Sequence, residues 1–109
     1  MSRYAHHLAG RSYGRLGTVV ADPPQITIHG YATTHALHRA VGRSITTQDR
    51  LDIVRDPIVV LEQAHGYSFL FLSERGVVVL TREGMVRTTY GSSDFDDGIR
   101  QILTDAGVH

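Results

Sequence analysis

The chain of 109 residues contains no cysteine. Disulfides and thiolate metal sites are therefore excluded. Lysine is missing too: all 11 basic residues are arginine, so every permanent cationic contact comes from a planar guanidinium fork. No apolar run approaches the ~20 residues needed to cross a membrane, and the first residues carry no signal-peptide-like apolar segment. Internal repeats, low-complexity tracts, a glycine-rich phosphate loop and zinc-ligand spacing are absent as well. No cofactor and no metal is expected from these residues.

What is present is a balanced but unevenly charged globular composition, with 41% hydrophobic and 20% charged residues. The net charge of zero divides into two halves. Residues 1–50 hold six Arg and two Asp (6 − 2 = +4), and residues 51–109 hold five Arg and nine acids (5 − 9 = −4). A basic first half suits a polyanion such as nucleic acid. Packing of the two halves against each other would cancel the asymmetry.

Thr33-Thr34-His35-Ala36-Leu37-His38-Arg39 concentrates chemistry in one turn of predicted helix. His35 and Arg39 are four apart and share a face, with His38 bordering it. Ala36, Leu37, Ala40 and Val41 fall on the other side. Imidazole titrates near neutral pH and guanidinium matches phosphate. The plain alternative is a solvated polar face.

In chain order, residues 1–24 read as a flexible basic tail or linker. Gly10, Gly14 and Gly17 interrupt any helix, and Pro23-Pro24 closes the stretch. Arginines and histidines interleaved with Tyr4 and Tyr13 suit an arm lying along RNA, or a connector. Residues 25–109 read as one domain. Ile26 and Ile28 alternate in a weak short strand from Gln25 to Tyr31. The His35 helix stops near Gly42, and Thr46 with Asp49 forms a capping box for a second helix, which ends at Asp56-Pro57. Leu51, Ile53 and Val54 give that helix an apolar side.

Four strands follow: Ile58 to Leu61, Tyr67 to Leu72, Gly76 to Thr81 and Met85 to Tyr90. Their short connections predict an antiparallel meander whose two middle strands are buried on both faces. Ser93 is the expected cap of a last helix, with Phe95, Ile99, Ile102 and Leu103 as its apolar stripe. The expected fold is thus α+β: two N-terminal helices, a four-stranded antiparallel sheet and a C-terminal helix. On the fourth strand, Thr88 and Tyr90 leave one face, and Arg87 and Thr89 the other. Thr and Tyr are also ordinary strand residues.

The combination of Thr-His-Ala with an Arg four after the His, Arg-Ser-Ile-Thr before a second helix, a helix-ending Asp-Pro, a hairpin-rich sheet and Val-Arg-Thr-Thr-Tyr resembles the small ribonuclease toxins grouped with barnase and RelE. It is most similar to those forming C-terminal domains of contact-dependent inhibition and other polymorphic toxins, over about residues 25–105. The resemblance implies metal-independent RNA cleavage leaving a 2′,3′-cyclic phosphate, with tRNA one candidate substrate. It implies delivery, as the end of a larger protein, into a target-cell cytoplasm, and neutralisation by a cognate immunity protein, which the basic first half suggests is acidic. It implies His35 as general base or acid, Arg39 or Arg43 as the phosphate cation, and Thr88 and Tyr90 as the hydroxyl pair. His38 competes with His35 for the catalytic role. Arg43, His38 and Arg87 are the candidate substrate-binding residues. Lysine, used by some relatives near the phosphate, is replaced by arginine here. A non-catalytic phosphate- or RNA-binding module and the toxin of a chromosomal toxin–antitoxin pair are the rival readings.

Overall fold

A computed structural model describes residues 3–41 and 45–108, with side chains for all of these except 38–41. It is an α+β fold with three helices and a six-stranded mixed sheet. Strands β1 (Thr18–Val19), β2 (Gly30–Tyr31), β3 (Val59–Gln63), β4 (Ser68–Ser73), β5 (Gly76–Thr81) and β6 (Met85–Gly91) lie in the order β1-β3-β4-β5-β6-β2. The helices are α1 (Thr34–Val41), α2 (Thr47–Arg55) and α3 (Asp97–Asp105).

The expected meander is the centre of this sheet: β3 to β6 pair in sequence, all antiparallel. Every residue of β5, and all of β4 but Phe69, is buried, as continuous apolar runs demand. Gly84 holds φ +94° in the β5–β6 turn, and a Cβ there would run into the Thr27 carbonyl oxygen. Both conditions require glycine.

Two edge strands correct the four-stranded expectation. Val19 pairs with Leu61 on one side, and Gly30 and Tyr31 pair in parallel with Met85 and Val86 on the other. Each is two residues long, too short to carry a periodic pattern. The second lies at the end of the expected Gln25–Tyr31 strand.

The stretch expected as a flexible tail is packed on the sheet. Tyr4, Ala5, Leu8 and Val19 are buried in the core. The Tyr4 hydroxyl donates to the Val20 carbonyl at 2.6 Å and accepts from the Val60 N–H at 3.1 Å. The glycines that argued against a helix here instead permit two 3₁₀ turns, His6–Leu8 and Gly14–Leu16. Charge follows the same path. Arg3 pairs with Asp56 at 3.1 Å and Glu74 at 2.9 Å, and Arg11 with Asp105 at 3.3 Å. Part of the basic first half is thus neutralised by the acidic second half.

Register assigns the faces. Leu61, Leu70, Val79 and Thr88 form one row, and Val59, Leu72, Val77 and Tyr90 the next row on that face. The Tyr90 ring meets Phe95 edge-on at 6.3 Å, which places the approach to α3 beside this face. Val60, Phe71, Val78 and Thr89 occupy the opposite face. There a Cβ on Gly76 would touch Ile45, the residue leading into α2.

The α2 capping box forms as expected: Thr46 Oγ1 accepts from Asp49 N–H at 3.0 Å, and Asp49 Oδ2 accepts from Thr46 N–H at 3.1 Å. Ile53 is buried, whereas Leu51 faces outward. The cap of α3 is Asp96, whose Oδ1 accepts from Ile99 N–H at 2.9 Å, and not Ser93. Ser92–Asp94 forms a separate 3₁₀ turn that turns the chain before the helix starts. The stripe Phe95, Ile99, Ile102 and Leu103 is buried.

Candidate functional site

The fourth strand of the meander contains an irregularity that alternation does not foresee. Val79 pairs with Thr88, but Leu80 pairs with Val86. Arg87 is the extra residue of a β-bulge, which re-aims a side chain by breaking the two-residue repeat. Arg87 therefore joins Thr88 and Tyr90 instead of opposing them. All three line a pocket of about 310 Å³, with Leu16, Gln63, Leu70 and Val79 completing it.

The chemistry of this pocket is one-sided. Its polar contributors are a guanidinium, a hydroxyl, a phenol and an amide, and none of the lining residues is an acid. Arg87 has no ion pair among the described residues; its Nη1 reaches Ser68 Oγ at 3.5 Å and its guanidinium lies 5.8 Å from the Tyr67 ring centroid. Arg3, Arg11, Arg55, Arg75 and Arg100 are all paired with carboxylates. An uncommitted guanidinium beside hydroxyl donors is an anion-binding arrangement, with phosphate the natural match. Gln63 is held by donating to the Leu16 carbonyl at 3.1 Å, and its Oε1 accepts from Ser68 Oγ at 3.2 Å.

Two other concavities are chemically different. The larger, about 580 Å³, runs between the Pro23–Ile28 segment and α2. Its walls are largely apolar, and its one charged residue, Arg55, is bound to Asp52 at 2.7 Å. The other is walled by Arg3, Asp56, Glu74 and Arg75, whose charges pair with one another or with Asp52. Volume favours the first, but of these three, among the described residues, the bulge pocket is the one that sets a cation without a carboxylate partner beside hydroxyl groups.

Helix α1 lies against β6 and β2. The helix and the strand singled out by sequence are therefore neighbours. Thr33 caps α1 by accepting from Ala36 N–H at 2.9 Å. His35 is exposed at the start of α1 and is not among the pocket-lining residues. Ala36 is buried, but Leu37 is 42% exposed, so the apolar side of α1 is narrower than expected. The side chains of His38 and Arg39, and all of Arg43, lie outside the described residues. Sequence reasoning missed Leu16, Gln63 and Tyr67. The first two meet the pocket only through long-range pairing, and Tyr67 was read solely as a strand residue. Among the described residues no cluster of three His, Asp or Glu side chains is placed to hold a metal. No described helix is long and apolar enough to cross a membrane.

Over 65 residues the chain is 34% identical to the tRNA nuclease WapA of Bacillus subtilis (strain 168). That stretch is 56% of this chain and spans only 3% of the length of the relative, which is far longer. No family model and no solved structure matches.

Proposed function

We propose that the chain is the ribonuclease part of a delivered bacterial toxin, of the barnase and RelE kind, cutting cellular RNA without metal. The observation that carries this reading is the convergence of Arg87, Thr88 and Tyr90 on one acid-free pocket. The likeness to a tRNA nuclease supports it and makes tRNA the first substrate to test.

In this reading the RNA's own 2′-hydroxyl attacks phosphorus. A base removes the hydroxyl proton, the P–O5′ bond breaks, and an acid protonates the departing 5′-oxygen. The products are a 2′,3′-cyclic phosphate and a 5′-hydroxyl end. Arg87 and Thr88 hold the phosphoryl oxygens, where the extra negative charge develops. His35 is the general base or acid, with His38 as its competitor on the same helix, and Tyr90 supplies a phenol proton. Arg39 or Arg43 is a further phosphate-binding cation. An acidic immunity protein covers the pocket in the producing cell, with an association rate that falls as salt rises.

The test is incubation of the purified protein with tRNA and with total RNA, with and without EDTA, followed by analysis of the RNA ends. Cleavage in chelator leaving cyclic phosphate ends is expected. Retention of RNA without any cut would make the protein a binding module. Cleavage only with added divalent ion would overturn the metal-free mechanism.

A further inference from the structure

Tyr67 is the most solvent-exposed large aromatic of the described residues, at 56%, although β4, which follows it, is buried except for Phe69. Its backbone is fixed from both sides. The Tyr67 N–H donates to the Ala64 carbonyl and its carbonyl accepts from the Arg82 N–H, both at 3.2 Å. The turn before it is strained: Ala64 and His65 hold φ of 49° and 57°, a left-handed conformation that side chains other than glycine rarely adopt. Such strain persists only where surrounding structure enforces it. One flank of the Tyr67 ring is taken by the Arg87 guanidinium at 5.8 Å, and most of the side chain stays in water. Arg87 also lines the pocket with Thr88 and Tyr90. A flat ring on an anchored backbone thus stands beside an acid-free pocket, joined to it by one shared cation.

We propose that Tyr67 is a stacking platform for an unpaired base of RNA, with Arg87 bridging that base's subsite to the phosphate pocket. An aromatic face binds any base, because each has a π-face, and the neighbouring guanidinium meets the adjoining phosphate. The proposal rests on the RNA-cleaving reading for its ligand, but it concerns binding and is tested without cleavage.

The chain has no tryptophan, so Tyr67→Trp introduces a lone indole reporter. The probe is a short single-stranded oligoribonucleotide with every 2′-hydroxyl methylated, which this mechanism cannot cut. Saturable quenching of the indole is expected, and a fully paired duplex of the same sequence is expected to quench far less. In the otherwise native chain, Tyr67→Ala is expected to weaken binding of this probe about five- to 150-fold, the range for one stacked base. Tyr67→Phe is expected to leave it within about twofold, because the ring remains. Circular dichroism confirms that each variant is folded. An unresponsive indole together with native affinity in folded Tyr67→Ala would overturn the proposal. Quenching in a protein that cuts no RNA would sustain the stacking site and refute the nuclease reading alone. Cleavage of RNA together with a silent indole and native affinity in folded Tyr67→Ala would do the reverse.

Discussion

The Tyr13 hydroxyl donates to Asp105 Oδ2 at 2.7 Å and so joins two residues 92 positions apart. Arg11 reaches the same oxygen at 3.3 Å, and Gln101 donates to the other at 2.9 Å. The N-terminal segment is thereby fastened to the last turn of α3. The bonds from Tyr13 and Gln101, then the charge of Arg11, hold the Asp105 carboxyl below its ordinary range.

The direction of that shift sets the pH dependence. A carboxylate with a depressed folded value contributes its stability in full above the unfolded value of ~3.9 and loses it as pH falls through the folded value. Thermal stability should therefore drop below about pH 4. Asp105→Asn should be less stable than the native chain near neutrality and should lose less on acidification. Asp49, held low chiefly by the Thr46 backbone N–H, should preserve part of the slope. Thermal midpoints across the acid range check this; parallel curves for the two proteins would show that Asp105 is not the group responsible.

Tyr4 supplies a second prediction. Its hydroxyl is the partner of the buried Val60 N–H. Tyr4→Phe leaves that donor without a bond and should cost about 1–3 kcal/mol in denaturant unfolding. A loss below a few tenths would mean that the N-terminal segment contributes little to the fold.

The sheet centre, the α2 capping box and the α3 stripe were legible because each rests on local pattern: β-branched runs in β5, Thr46 with Asp49, and Ile99 with Ile102 and Leu103. The N-terminal segment was not, because glycine-rich sequence is equally compatible with a loose tail and with tight turns. The burial of Tyr4 and Leu8 in the core and the bond of Tyr4 to distant Val60 distinguish the two. Thr88 and Tyr90 were placed on one face by simple alternation. Arg87 was put on the wrong face, because a bulge depends on how Val79 and Leu80 pair across the strand, which no single strand encodes.

Thr89 makes a third prediction. It is fully buried in the row with Val60, Phe71 and Val78, and its Oγ1 has no hydrogen-bond partner among the described residues. A buried hydroxyl without a partner costs about 1–3 kcal/mol. Thr89→Val replaces it with a methyl of similar size and should raise stability by about 1 kcal/mol. Destabilisation by a similar amount would reveal an acceptor for the hydroxyl.

The last prediction concerns the proposed chemistry, and it separates the pocket from the helix. Arg87→Gln keeps a polar side chain, though a shorter one, and removes the positive charge, so RNA cleavage should fall while the fold is retained. Tyr90→Phe keeps the edge-on contact with Phe95 and removes only the phenol, so any loss reports the hydroxyl. His35→Ala removes an exposed side chain and should leave thermal stability unchanged within about 0.5 kcal/mol. Its cleavage rate should nevertheless fall ~10²–10⁴-fold, the usual range for a general acid or base. His38→Ala is the control on the same helix. Rates for each purified variant on one tRNA substrate, with unfolding curves beside them, decide the assignment. A large loss in His38→Ala with none in His35→Ala would move the catalytic imidazole along the helix. Native rates in both, with a large loss in Arg87→Gln, would leave the pocket standing and require that its proton transfers be made by groups outside α1.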